Sequence, residues 1–329
     1  MTDGLAAISV DDFPPPVFIL AAPCLPGQTL AAALGQGTGA FDLPELNLEQ
    51  MTTIDVLRRE MIGIRAVQLH GLFRAIGHLY AGEQTSASVE MAGRWLSRRS
   101  YLSTAAVARE LAARIAPRRM VVPVTASVLD KASLRRLRAA FPRASYLHLH
   151  LHPYQYGLHL LASVNGRVAM QLAGSFDEST QPPTPDPQEL WLVAETAIAD
   201  FVAGLGADEP VISVRAEDLA RAPGPLLAGL ARALGLPDDG AALSAMLAPE
   251  RSAFFGPGPM GAHAAGGIQS LADLAAALPD AASARLDGPM PWRPDGVGLR
   301  AEVRARAYAL GYGAASESPP AADQAVAAV

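Results

Sequence analysis

Short, uninterrupted apolar runs alternate along this chain with longer stretches of helical periodicity. Val17 to Ala22 is wholly apolar between Pro16 and Pro23, which predicts a strand buried on both faces. Met120 to Val124 predicts a second buried strand, Tyr146 to Leu151, where His148 and His150 alternate with apolar residues, a third, and Val211 to Val214 a fourth. Between them the period changes to that of helices. Thr29 to Leu34 opens a helix after the loop Pro23-Cys24-Leu25-Pro26-Gly27-Gln28. Residues 50–115 carry Ile62, Val67, Leu69, Leu72, Phe73 and Ile76 at helical spacing. Leu134 to Phe141 is amphipathic, with Arg135, Arg136 and Arg138 expected to face solvent. The polar, proline-rich stretch Gly174 to Gln188 reads as a loop. It precedes a helix holding Trp191, Val193, Ile198 and Phe201. Leu226 to Leu234 is a further helix, stopped by Gly235 and Pro237. Strands alternating with helices predict an α/β protein: three layers, α/β/α, around a mainly parallel central sheet.

The ends and the charge balance narrow the setting. Residues 1–16 are polar and proline-rich and read as a disordered lead-in, and 313–329 as a flexible tail. Residues 252–267 are glycine-rich and irregular, and no internal repeat is visible. The opening residues lack the basic and apolar regions of a secretory signal, and no apolar run approaches a membrane span. A net charge of −6 argues against a nucleic-acid partner. The lone cysteine, Cys24, excludes an intrachain disulfide and fits a reducing cytoplasm. Lys131 is the only lysine; arginine and alanine in such excess fit a GC-rich bacterial genome.

Strand, glycine-containing loop and helix in succession at residues 17–34 is the layout of a phosphate-cradling unit. Three segments then resemble bacterial sulfotransferases. FILAAPCLPGQTLAAALGQGTGAFDLPELNL (18–48) is similar to that family's strand, P-R-S-G-[ST]-T loop, helix and P-E-L segment. AFPRASYLHLHLHPYQYGLHLLAS (140–163) resembles its F-P-x-A-x-[FY]-[IL]-H-L-x-R-x-P strand and following helix. VRAEDLARAPGPLLAGLARALGLP (214–237) resembles its R-Y-E-D-L-x-x-x-P segment and the helix ending in L-G-[IL]-P. Trp191 sits where many members open a helix with tryptophan. GPGPMGA at 256–262 and Leu310-Gly311-Tyr312 are similar to members linked to polyketide and peptide pathways. The resemblance spans about residues 17 to 312 and implies one sulfotransferase-like domain over that range.

In the family the first loop wraps the 5′-phosphosulfate of 3′-phosphoadenosine 5′-phosphosulfate. Backbone N–H groups, a helix N-terminus and Arg, Ser and Thr side chains supply the donors. The positions that the resemblance assigns to this cofactor are Cys24, Leu25, Gly27, Gln28, Thr29 and, on the helix after the third strand, His159. Cys24 stands at the arginine position and brings no charge, and Pro26 has no N–H to offer. Gly27 and Gln28 replace the hydroxyl pair, with Thr29 one position late. A one-residue shift would align Gly27 and Thr29 with the family's glycine and hydroxyl, without restoring an arginine. Pro123 stands at a lysine position, Leu151 at the arginine of the 3′-phosphate, and His159 at a serine. Each charge-assisted phosphate contact contributes roughly 1.5–3 kcal/mol, so losses in three segments imply a degenerate donor site.

For proton transfer the candidates are Glu45, His70 and His152. Glu45, in Pro44-Glu45-Leu46, resembles the general base of some sulfotransferases; a structural carboxylate holding backbone N–H groups is the other reading. His70 is either an acid/base on the substrate side or a satisfied helix residue. His148, His150 and His152 share one face of a strand. A metal there would need a further ligand such as His159 or His70, and no metal is assigned. Cys24 sits where a nucleophile would be exposed, or is a small buried apolar residue. The arginines at 98–99, 118–119 and 135–138 read as solvated helix faces. Three functions stay open. One is a repurposed sulfotransferase-like enzyme of secondary metabolism acting on a small-molecule or carrier-protein-bound substrate. The others are an active donor-dependent sulfotransferase and a non-catalytic binding protein. A homodimer also stays open.

Overall fold

The structure, a computed structural model, describes residues 8–263, 267–278 and 286–313. The first strand β1 (Val17–Ala21) is buried along its whole length. It leads through the loop at 22–26 into helix α1 (Gly27–Gly35) and a three-residue strand β2 (Ala40–Asp42). Helices α2 (Ile54–Glu60), α3 (His70–Ile76), α4 (Ser86–Ser97) and α5 (Thr104–Ile115) follow before β3 (Arg119–Val124). Then come α6 (Lys131–Ala140), β4 (Ser145–His150), α7 (Pro153–Ala162) and α8 (Val164–Ala173). A small antiparallel pair, β5 (Phe176–Asp177) and β6 (Thr184–Pro185), interrupts the long polar loop. Helix α9 (Pro187–Ala203) and strand β7 (Val211–Arg215) complete the main layers.

The central sheet has the order β2-β3-β1-β4-β7, and every pairing in it is parallel. Val17 lies opposite Val121 on one side and Ser145 on the other. The chain builds β2 and β3 on one flank of β1 and β4 and β7 on the other. The boundary between β1 and β4 is therefore the topological switch point, outside whose carboxyl ends α/β proteins place their ligands. Gly27 at the start of α1 packs on Ile19, Pro123 and Thr125. Phe18, Met120, Val122 and Val124 point to the opposite face, toward α5 and α6. This two-sided cover explains why the strands read as continuous apolar runs.

Helix starts follow capping chemistry. Asp130 accepts from the N–H groups of Ala132 and Ser133 to open α6. His152 and Asp186 cap α7 and α9, each with proline as the next residue. Several sequence expectations change. Ile62 and Val67 are exposed while Leu69, Leu72 and Ile76 are buried. Residues Gly63–Leu69 form a 3-10 helix, so the 3.6-residue period does not apply there. The arginines are not simply solvated. Arg136 donates to the carbonyls of Glu49 and Gln50, and Arg138 pairs with Glu209. Arg99 lies 3.6 Å over the Trp95 ring and makes a two-pronged pair with Glu110. Arg119 belongs to β3 and donates to Pro15 O and Ser145 Oγ. A guanidinium has five donors on a long apolar stem, so it satisfies loop carbonyls at the rim of a core. Of the lead-in, residues 1–7 lie outside the described residues; Phe13 is buried against Phe141, anchoring the rest. The tail from 314 onward also lies outside them.

Candidate functional site

The carboxyl ends of β1, β3 and β4 bring the first loop, the turn at 125–127 and the start of α7 together. Within the loop, Leu25 N–H bonds to Ala22 O and Gly27 N–H to Leu25 O, and Cys24 takes a positive φ of 68°. Pro26 has no N–H. The N–H groups of Cys24, Gln28 and Thr29 find no acceptor among the described residues. Two of the side chains do not add to them. Leu25 is buried in the core, and the Thr29 hydroxyl, also buried, accepts from Gln269 N–H at 3.0 Å. Gly27 stands against Pro123, whose ring occupies the place where the family resemblance put a lysine.

Helix α7 closes the switch point from the other side. Tyr156 Oη donates to Pro23 O at 3.1 Å, and His159 Nε2 donates to Cys24 O at 3.1 Å. The two residues are three apart on one helix face, 133 and 135 residues from their partners. Burial pushes the His159 pKa down, so the ring meets the loop as a neutral donor. Cys24 is partly buried, and its thiol is pushed up to about 11, chiefly by burial and further by the charge of Glu45. At neutral pH it is a thiol, not a thiolate.

Glu45 follows β2 and reaches the turn after β3. Its carboxylate accepts from Thr125 N–H at 2.5 Å, the Thr125 hydroxyl at 2.9 Å and Ala126 N–H at 2.8 Å. Burial raises its pKa and these three bonds lower it; burial wins. Residue 45 nevertheless keeps some accessible surface. Gly71 lies so close that a Cβ there would overlap the Glu45 carbonyl oxygen. The first turn of α3 therefore rests on the Glu45 main chain. His70 Nδ1 donates to His263 O at 2.5 Å.

His152 belongs to a second group, on the β7 side. Its N–H donates to Glu217 Oε1 at 2.9 Å, its Nδ1 accepts from Tyr154 N–H, and its ring packs edge-on to Tyr312. Tyr312 Oη donates to Glu217 Oε2 at 3.3 Å, which leaves its oxygen to accept from His150 Nδ1 at 2.7 Å. His150 Nε2 then accepts from the Ser213 hydroxyl at 2.9 Å. Burial, followed by the neighbouring His148, holds His150 well below the usual histidine range. His148 Nε2 meets Glu195 Oε2 at 2.7 Å in the core. Both ring nitrogens of His150 are thus occupied. Among the described residues no group of three or more His, Cys, Asp or Glu is placed to hold a metal ion. No helix among them is long and apolar enough to cross a membrane.

The structure thus gathers Cys24, Glu45 and His159 around the first loop and sets His152 apart, while His70 on α3 is bonded to His263 O. Sequence reasoning missed Tyr156, Glu217 and Tyr312 as site residues. Tyr156 had a signal in its three-residue spacing from His159, and Glu217 and Tyr312 lie in segments that carried the resemblance.

No family model matches the sequence, and no curated protein does. Solved structures match across almost the whole chain. The sulfotransferase domain from the curacin biosynthetic pathway is 21% identical, with a TM-score of 0.69, over 91% of this chain and 98% of that one. This is the sulfotransferase fold. The sulfotransferase domain from the Synechococcus PCC 7002 olefin synthase is likewise 21% identical, with a TM-score of 0.65, over 91% of this chain and 95% of that one. On this sulfotransferase fold, the first loop and the N-terminus of α1 carry the N–H groups of Cys24, Gln28 and Thr29, which have no acceptor among the described residues. The loop side chains include no cation, and helix α7 is bonded to the loop's carbonyls.

Proposed function

We propose that this sulfotransferase-fold protein belongs to natural-product biosynthesis and that its donor crevice has been rewritten. It acts on a small-molecule or carrier-bound substrate without an ordinary phosphosulfate donor. The pair of bonds from Tyr156 and His159 to the carbonyls of Pro23 and Cys24 carries this reading. In the family resemblance, position 159 offers a serine to the donor; here it is a neutral ring committed to the loop itself. Gly27 packed on Pro123 supports the same conclusion from the β3 side. The two solved relatives, domains of a curacin pathway and of an olefin synthase, support the biosynthetic setting. Glu45 is the residue suited to chemistry. Three donors fix its orientation, burial raises its pKa toward the working range of a general base, and it borders the loop.

A thermal shift with 3′-phosphoadenosine 5′-phosphate tests the proposal. A ligand at about 100 times its dissociation constant adds roughly 2.7 kcal/mol of stability. The expected result is no shift at millimolar nucleotide. A saturable shift would instead select the donor-dependent reading, which rests on the N–H groups of Gln28 and Thr29 at the start of α1.

A further inference from the structure

Helix α7 is gripped from two sides. Tyr156 and His159 bond it to the carbonyls of the first loop. Residues 288–298 cross it from outside as a strap, doubled back by the bridge between Pro289 and Gly298 and by the bond from Met290 N–H to Val297 O at 2.8 Å. The six-membered ring of Trp292 lies so close to Gly157 that any Cβ there would overlap it. Tyr154 Oη donates to Gly288 O on the same strap. At about 100° per residue, positions 154 and 157 lie on the side of α7 opposite positions 156 and 159. Arg293 fastens the strap to β5: its buried side chain donates to Asp177 Oδ2 at 2.7 Å and to Asp295 Oδ1 at 3.0 Å.

We propose that this strap is a latch on the first loop: Trp292 wedges α7 against the loop, and withdrawal of the indole lets α7 lift and opens the crevice beside Cys24. The two bonds to Pro23 O and Cys24 O come from one rigid helix, so they break together when it moves. The strap itself is built to move. Its Met290, Arg293 and Gly296 N–H groups bond within the strap, and Pro291, Pro294, Asp295 and Val297 are exposed, the marks of a segment of low local stability. Trp292 Nε1 is buried with no acceptor among the described residues. Seating the indole therefore costs the hydration of its N–H, which withdrawal restores. The inference rests on the closed crevice of the proposed function and concerns what holds that crevice shut.

Cys24, the single cysteine, reports the opening, because α7 bonds to its carbonyl and its thiol lies near enough to Tyr156 to push that hydroxyl's pKa up further after burial. The test compares the rates at which the folded full chain and its variants react with an aromatic disulfide. Trp292→Ala should react about five- to tenfold faster than the parent, recovering most of what burial withholds from the thiol. Asp177→Asn loosens Arg293 without touching the indole. It should accelerate the reaction about threefold, the weight of one partly exposed ion pair, and it decides the matter if Trp292→Ala fails to fold. Leu134→Ala, a core change on α6 far from the strap, should leave the rate within about twofold of the parent, since the strap opens locally. An unchanged rate in Trp292→Ala, an equal acceleration in Leu134→Ala, or a parent that already reacts at the unfolded rate would overturn the inference. A nucleotide-induced thermal shift would sink the rewritten-crevice reading and leave this comparison standing, so the two failures are distinct.

Discussion

Cys24 occupies the tip of the first loop, where a nucleophile would stand, and its reactivity separates two pictures of the site. The structure places its pKa at about 11 rather than the ordinary 9.0. At pH 8 that displacement cuts the thiolate fraction about a hundredfold. A more basic thiolate is also a better nucleophile, and over two pH units that recovers roughly eightfold toward a disulfide reagent. The net expectation is about a tenfold slower reaction than the same thiol in the urea-unfolded chain. The assay is direct, because Cys24 is the single cysteine: an aromatic disulfide releases one coloured thiol per chain. Glu45→Gln removes the second cause of the displacement and leaves burial, so its rate should lie between those of the folded parent and the unfolded chain. A folded parent that reacts as fast as the unfolded chain, or faster, would refute the reasoning and restore Cys24 as a candidate nucleophile.

Other consequences concern the groups that surround the site. Asp42, buried at the end of β2 and bonded by the Ser252 hydroxyl, is pushed up from 3.8 to about 6, mainly by burial. The folded state therefore holds its proton more tightly than the unfolded one, and stability falls as pH rises through that window. The displacement corresponds to about 3 kcal/mol. Asp42→Asn should lose this part of the pH dependence; urea denaturation at pH 4 and pH 7 measures it, and identical slopes for parent and variant would contradict it. In the core, Glu195→Leu strands His148 Nε2. It should cost roughly 1–3 kcal/mol, read as a lower denaturation midpoint, and an unchanged midpoint would show that the pair contributes nothing.

What this sequence determined by itself was local. The strand segments read at 17–22, 120–124, 146–151 and 211–214 became β1, β3, β4 and β7 within a residue of their expected ends. Strands buried on both faces are mostly apolar, so these runs also implied the parallel sheet, and the two histidines of β4 are buried with hydrogen-bond partners. The place of the first loop followed as well, since a strand, loop and helix in succession carry the chain outward at the sheet's carboxyl edge. Tertiary structure alone decided the rest. The three-residue β2 is too short to show a period, and it exists because Ala40–Asp42 pairs with β3. Arg136 and Arg138 read as solvent-facing from their helix, and only the packed loops beside them show which carbonyls and carboxylates they satisfy. Glu45 stood open between base and structural carboxylate, because its donors lie 80 residues away at Thr125 and Ala126. Likewise nothing near Cys24 in the chain announces Tyr156 and His159. Side-chain period reports which face a residue takes; which group waits on that face is set by how distant segments cross. In this protein that crossing, at the switch point between β1 and β4, is what closes the crevice around the first loop.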